Sequence, residues 1–367
     1  KSYNYMTQSV YIIAEAGVNH NGDKKKAIEL IDVAAESGAD AVKFQTFQAE
    51  RLVSSDATKA SYQIDAGGES ETQYEMLKDL ELEEAFYPEL VDQCKRKNID
   101  FLSTAFDEQS LKFLTSSFNL KYLKIPSGEI TNGPLILAHA RLKKRLIMST
   151  GMASMQDIEE ALGVIAFGLI QGQDVEIKPS RSQFREAFRS QEGQKYLKDN
   201  VTLLHCLTQY PAPLKDINLT AMLSMQKKFS LQVGYSDHSE GSIVPIAAAS
   251  LGAVMLEKHF TLDKSLPGPD HKASLDPNEL NEMVISVRKI KELMGDGKKD
   301  LRSSELENLI IARKSIRAFT KIKRGEILSE ENMTIKRPGG GLSPMLFWKK
   351  IGIKASRDYR ADEQIED

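Results

Sequence analysis

Cysteine and tryptophan are scarce: the 367-residue chain has two of the first and one of the second. Two thiols, Cys94 and Cys206, cannot make a disulfide framework. Both lie in apolar stretches, so buried free thiols in a reducing compartment are expected. Long apolar runs are missing as well. None reaches the roughly 18 residues of a membrane-spanning helix, and the N-terminal stretch lacks a signal-peptide core, which leads us to expect a soluble cytoplasmic protein. An excess of charge of one sign is also lacking. The formal net charge of -3 gives no electrostatic reason to expect nucleic acid or an anionic membrane as partner. What is present is ordinary globular composition, 41% hydrophobic and 28% charged, in a chain long enough for one large domain and a small one.

The first three-quarters of the chain alternates short apolar runs with amphipathic stretches. Strands are expected over 10–17 (VYIIAEAG), 40–45 (DAVKFQ), 99–104 (IDFLST), 121–127 (KYLKIPS), 145–150 (RLIMST), 201–206 (VTLLHC), 231–238 (LQVGYSDH) and 253–260 (AVMLEKHF). They are nearly continuous in apolar residues, as parallel strands covered on both faces should be. Between them, apolar positions recur at three and four residues, the helical spacing. Asp23 before the first helix and Gly38 after it read as caps. Eight strands with helices between them predict a (β/α)8 TIM barrel over residues 1–293; a doubly wound open sheet is the competing α/β architecture. GDGKKDLRSSE reads as a linker over 294–309. The β-rich, turn-rich remainder, 310–367, reads as a separate small domain, with Trp348 expected to pack inside it. A long loop over about 46–81 follows the second strand, and loops of that length are often functional. A polar insertion over 171–200 reads as a solvated surface helix.

Working residues of a barrel lie at the C-terminal strand ends. Here all eight ends carry charged or hydroxyl groups: Glu15; Lys43 and Gln45; Ser103 and Thr104; Lys124, Ser127 and Glu129; Ser149 and Thr150; His205; Ser236, Asp237 and His238; Glu257 and His259. Such a set encircles a shared cavity. His238 and His259 are one βα unit apart, on neighbouring strands. Each alone reads as a hydrogen-bonded core residue; together they suit an open divalent-metal site that polarises a carbonyl. Lys43 and Lys124 end apolar strands, where an unpaired ammonium is costly. A phosphate surrounded by Thr104, Ser127 and Ser149 would satisfy them. The alternatives are pairing with Glu15 or Glu129, or a Schiff-base lysine as in covalent aldolases.

IIAEAGVNHNGD, GADAVKFQTF, FLSTAFD, KIPSGEITN, STGM, YSDHS, EKHFTLDK and PGPDHKASLDP resemble the sialic acid synthase family, and its bacterial N-acetylneuraminate and legionaminate branches most. IARKSIRAFTKIKRGEILSEENMTIKRPGGG looks like that family's C-terminal antifreeze-like (SAF) domain. The resemblance implies a condensation of phosphoenolpyruvate with an open-chain 2-acetamido sugar to a nine-carbon 2-keto acid and phosphate. It implies manganese or magnesium on His238 and His259. Phosphoenolpyruvate would lie against Lys43, Thr104, Lys124, Ser127, Ser149 and Ser236, with Glu15 and Glu129 near the reacting centre. Gln45, Thr208, Tyr210 and Asp270 match sugar-side positions. Arg337 matches an arginine that reaches the acetamido group from the second subunit of a domain-swapped homodimer. Three departures stand out. Leu207 replaces a more usual Thr or Asn, Gln209 a Glu and Ala105 a Pro; the first two are expected near the sugar.

Overall fold

Eight strands pair in parallel and in chain order: β1 (Tyr11–Gly17), β2 (Ala41–Thr46), β3 (Asp100–Ala105), β4 (Tyr122–Ile125), β5 (Arg145–Ser149), β6 (Val201–Cys206), β7 (Gln232–Asp237) and β8 (Met255–His259). β8 then pairs with β1 through Glu257↔Ile13 and His259↔Glu15, which closes the barrel and excludes the open sheet. This computed structural model describes residues 9–59, 72–172 and 177–367. The expected loop over 46–81 falls partly outside the described residues. The chain divides into two compact units, Lys1–Asp296 and Gly297–Asp367.

Helices between the strands are α1 (Lys24–Glu36), the short α2 (Ala49–Leu52), α3 (Gln73–Leu80), α4 (Tyr87–Lys97), α5 (Glu108–Ser117), α6 (Gly133–Arg141) and α7 (Met155–Gln171). They continue as α8 (Arg181–Arg189), α9 (Gln191–Asn200), α10 (Ala221–Phe229), α11 (Ile243–Ser250) and α12 (Pro277–Met294). The Asp23 carboxylate accepts the amides of Lys25 and Lys26 at 2.7 and 3.3 Å, and so starts α1. Gly38, at φ +79°, ends it in a conformation that favours glycine.

Period two sorts each strand. Ile12, Ala14, Val42, Phe44, Leu203 and Leu256 face the helices and join the main core. Ile13, Ala41, Leu102, Ile147, Leu204 and Met255 face inward and form an apolar layer inside the barrel. Gly234 belongs to that layer's packing, because a Cβ there would stand 2.3 Å from the Met255 carbonyl and 2.7 Å from Leu204 Cδ2.

The 171–200 insertion is not one solvated helix. It forms α8 and α9, which bury Ala187, Gly193 and Leu197. Phe184 packs on Phe167 of α7 with ring centroids 5.3 Å apart. Glycine allows the close approach: a Cβ on Gly163 would be 2.9 Å from the Phe184 carbonyl.

The second unit holds α13 (Leu306–Ala312), β9 (Ser315–Ala318), β10 (Met333–Lys336) and α14 (Phe347–Lys350). β9 and β10 are antiparallel, with Ile335 opposite Ile316. Ile316, Ala318, Ile322, Leu328, Met333, Ala355, Tyr359 and Ile365 make a core of their own. Trp348 is no part of it; it is 70% exposed, contrary to expectation. Among the described residues no helix is long and apolar enough to cross a membrane.

Candidate active site

Two residues beyond the apolar layer, the inward positions turn polar. Ile13 is followed by Glu15, Ala41 by Lys43, Leu102 by Thr104, Ile147 by Ser149, Leu204 by Cys206 and Met255 by Glu257. Lys124 of β4 and Ser236 of β7 complete the layer. These side chains form the floor of a cavity of about 430 Å³ at the C-terminal mouth of the barrel. The other parity points away. Asp237 pairs with Lys258 at 2.6 Å, and Lys258 also donates to the Ser239 carbonyl. His205 Nε2 meets the Ile217 carbonyl at 2.8 Å. Ser103 bonds Thr46 at 2.7 Å, and Thr150 donates to the Leu204 carbonyl at 2.9 Å. None of these four strand-end residues lines the cavity.

The floor is an ion cluster. Lys43 Nζ lies 2.6 Å from Glu15 Oε2, 3.6 Å from Glu257 Oε2 and 3.0 Å from Thr104 Oγ1. Lys124 Nζ lies 3.2 Å from Glu257 Oε1, which also accepts from Ser236 at 2.8 Å. The two carboxylates diverge. Burial pushes Glu15 up to about 7 against the opposing pull of Lys43. Burial acts on Glu257 too, but Lys124 and Lys43 together outweigh it and hold the group well below the usual range. Burial also lowers Lys124, whereas Glu15 and Glu257 overcome it at Lys43 and raise that ammonium. A proton taken up at Glu15 leaves two cations facing one carboxylate, a net positive floor suited to an anion. Ser149 Oγ is buried there without a hydrogen-bond partner. Ser127 Oγ accepts the Gly151 amide at 3.0 Å. Gly151 has to be glycine, because a Cβ would come within 2.1 Å of Thr208 Oγ1 and 2.8 Å of Ser127 Oγ.

The histidines stand above the floor. Ring centroids of His238 and His259 are 5.5 Å apart. His238 Nδ1 meets the Leu207 carbonyl at 2.8 Å; a carbonyl only accepts, so Nδ1 carries the proton. Nε2 lies 2.8 Å from the Tyr210 hydroxyl, and neighbouring Cys206 raises the ring's pKa against the effect of burial. His259 Nδ1 is buried without a hydrogen-bond partner, 3.8 Å from Asp270 Oδ2. Burial and His238 hold His259 in its neutral form, and burial pushes Asp270 up to about 6. An imidazole pair, one ring with an unsatisfied nitrogen, beside a carboxyl that burial holds up, fits a divalent ion with open coordination. Among the described residues no group of three or more His, Cys, Asp or Glu is already gathered as a closed metal site.

Asp270 is carried by a fastened loop. Asn19 Nδ2 donates to the Phe260 carbonyl at 2.7 Å and to Ser274 Oγ at 3.0 Å, and Ser274 donates to the Asp270 carbonyl at 2.6 Å. His271 bridges Thr261 at 2.7 Å and Asn21 at 3.1 Å. Gly17, at φ +53°, leaves room for His259 and Gln45.

Glu15, Lys43, Gln45, Thr104, Lys124, Ser127, Glu129, Ser149, Thr208, Tyr210, Ser236, His238, His259 and Asp270 all line this one cavity. Arg337 lies in the second unit, where its Nε donates to the Ala312 carbonyl at 2.8 Å. Leu207 and Gln209 do not line the cavity. Leu207 packs against the core and Gln209 is exposed, beside and between the cavity residues Thr208 and Tyr210. Ala105 is buried in the core as well. In the sequence Glu257 is legible only as a strand-end residue, although it shares strand parity with His259. Cys206, read only as a buried thiol, is part of the floor.

A closed parallel barrel with a cationic floor beneath a histidine pair defines a (β/α)8 enzyme site for an anionic substrate. The sequence matches the NeuB family over residues 30–299. It is 47% identical to N,N'-diacetyllegionaminic acid synthase of Campylobacter jejuni, over 97% of this chain and 98% of that one. To the synthase of that name in Legionella pneumophila it is 43% identical, over 97% and 93%. The solved N-acetylneuraminic acid synthetase of Leptospira borgpetersenii, in complex with citrate, is similar with a TM-score of 0.65 and 31% identity, over 82% of this chain and 90% of that one. The chain belongs to the NeuB family.

Proposed function

We propose that the protein joins phosphoenolpyruvate to the open-chain aldehyde of a 2-acetamido sugar, with a 2,4-diacetamido-6-deoxy sugar as its acceptor, giving a legionaminate-type nine-carbon 2-keto acid. The observation that carries this is the floor: two buried ammonium groups, Lys43 and Lys124, among Thr104, Ser127, Ser149 and Ser236, directly beneath His238 and His259. The names of the relatives support the choice of acceptor.

Phosphoenolpyruvate lies with its phosphate and carboxylate on the floor. Its methylene carbon forms the new bond to the aldehyde carbon, whose oxygen takes up a proton. Water adds to the former enol carbon, and the bond from that carbon to the phosphate oxygen then breaks, releasing inorganic phosphate. Glu15, poised near neutrality, holds or releases a proton at this centre, while ionised Glu257 keeps both lysines in register. Glu129, held by Asn132 at 2.7 Å, is a second carboxylate near the added water. His238 and His259 would hold a manganese or magnesium ion, which polarises the aldehyde oxygen. Gln45, Thr208, Tyr210 and Asp270 orient the sugar. Aligning enol and aldehyde in one cavity is worth roughly 7–11 kcal/mol of barrier in well-oriented reactions.

The second unit reads as an antifreeze-like domain, and the protein as a domain-swapped homodimer in which Arg337 reaches the acetamido group in a partner's site. Its exposed position, with one guanidinium bond to Ala312, supports this.

The test is phosphate release on mixing protein, manganese, phosphoenolpyruvate and either N-acetylmannosamine or its 2,4-diacetamido-6-deoxy analogue. Release dependent on the sugar and abolished by chelation is expected. The lowered Lys124 favours one rival, a Schiff-base pyruvate aldolase; borohydride trapping of pyruvate on Lys124 or Lys43, with no phosphate release, would favour it instead.

A further inference from the structure

The walls of the active cavity differ in chemistry. On the β6–β8 side stand Thr208, Tyr210, His238, His259 and Asp270. In a closed eight-strand ring the strands four places on are diametrically opposite, so β2 and β3 face β6 and β7. The described cavity residues that follow β2 and β3 are mostly apolar: Leu52, Val53, Met76, Leu77, Leu80 and Phe106, with Gln73 the polar one.

This wall is a built element. Met76 and Leu80 pack with Val18 and Phe47 as a small apolar cluster apart from the barrel core, and Leu52, Leu77 and Phe106 lean on it. α2 is tied down at both ends. Its Ala49 amide donates to Glu81 at 2.7 Å, and Arg51 pairs with Asp107 at 3.2 Å. Thr72 and Glu75 form a reciprocal capping box that fixes the start of α3.

We propose that this shelf selects the acceptor sugar: Leu52, Val53 and Leu77 receive its methyl-bearing end and disfavour a fully hydroxylated one. The inference rests on the synthase reading above. The polar floor takes the enol substrate, and the aldehyde end of the sugar must face the histidines. The far carbons of the chain then extend between a polar wall and an apolar one. A hydroxyl turned to Leu52, Val53 or Leu77 loses its water partners and gains none. A deoxy carbon or an acetamido methyl buries apolar surface there instead. The shelf therefore reads deoxygenation and acylation of the distal carbons, whereas the histidine side reads the aldehyde.

The experiment compares kcat/KM for N-acetylmannosamine and its 2,4-diacetamido-6-deoxy analogue in the full-length wild type, V53T and L77Q. Val53→Thr is close to isosteric, so it reports the added hydroxyl without a change of volume. The wild type should prefer the deoxygenated analogue by about a hundredfold, and each variant should narrow that preference by about tenfold. The KM for phosphoenolpyruvate should stay within about twofold, because the floor is untouched. Two folded variants with the wild-type ratio would overturn the shelf and leave the proposed acceptor standing; a wild type that prefers N-acetylmannosamine would overturn both the shelf and that acceptor, but not the condensation. No phosphate release with either sugar would overturn the synthase reading itself.

Discussion

Two layers inside the same barrel, two residues apart on the same strands, do opposite work. The lower one, Ile13, Ala41, Leu102, Ile147, Leu204 and Met255, is dry and apolar. The upper one holds Glu15, Lys43, Lys124 and Glu257, which are almost as deeply buried. Burial of the lower layer stabilises the fold directly. Burial of the upper layer does not, because taking ions out of water offsets most of what their pairing returns, and apolar replacements of similar shape are often neutral or stabilising. A cluster that adds little stability and opens onto a cavity is there for its chemistry. The lower layer should therefore govern unfolding and the upper layer turnover.

The sharpest break of that comparison is Lys124→Met. It removes one of the two cations that would meet the anion in the proposed reaction and keeps the side-chain length. We expect kcat/KM to fall by about 10³-fold or more, in line with the loss of a preorganised charge. Stability should fall by less than the roughly 3–5 kcal/mol usual when a buried charge loses its partner. Glu257 keeps Lys43 at 3.6 Å and the Ser236 hydroxyl at 2.8 Å, and burial already disfavours the lost ammonium. Phosphate-release kinetics and urea unfolding read the two quantities. A loss of fold that exceeds the loss of activity would place the upper layer with the lower one.

The two layers also mark how much the sequence alone could tell. The strands were readable because parallel strands buried on both faces leave continuous apolar runs, and every observed strand falls within two residues of the expected bounds. The polar strand ends were readable as a set, but their parity was not. Ser236 and Asp237 are adjacent and equally polar, yet only Ser236 faces the cavity. Parity follows from register, and register from barrel closure. Glu257 illustrates the same point: its place between lysines of β2 and β4 exists only once β8 has met β1. Leu207 makes a related point. It sits beside cavity residues in sequence but offers the site its carbonyl, not its side chain. The apolar shelf was hidden because most of its residues fall inside the stretch read as a loop over 46–81, which carries α2 and α3.

The reverse break acts below. Leu204→Ala deletes a fully buried side chain of the apolar layer. Its surroundings cannot close around the gap easily, because Gly234 offers no side chain to move in. The expected cost is about 2–5 kcal/mol of unfolding free energy. Turnover per folded molecule should stay within about threefold, since Cys206 at the end of the same strand is carried by backbone pairing to β7. Denaturant titration and active-site-normalised rates measure the pair. A drop in turnover far beyond threefold, with stability intact, would mean that the two layers are not separable.

A smaller effect extends the comparison to the histidines. His238 and His259 belong to the upper layer. His139, on α6, is buried in the scaffold with Nδ1 on the Leu135 carbonyl at 2.8 Å, and burial lowers it to about 4. The folded protein thus keeps His139 neutral, while the unfolded chain takes up a proton near pH 6.5. Below that pH the unfolded state binds more protons, so the stability contributed by the neutral ring is fully present above pH 6.5 and is lost as pH falls toward 4. The difference between the two pKa values corresponds to on the order of 3 kcal/mol at the acid end. His139→Gln removes the titrating group from both states. Its unfolding free energy should fall less steeply than that of the wild type between pH 6.5 and 4, with turnover at pH 7.5 within about twofold, as for an ordinary scaffold substitution. Parallel stability–pH curves would show that His139 does not carry this burial cost; a large loss of turnover at neutral pH would join α6 to the upper layer rather than to the scaffold.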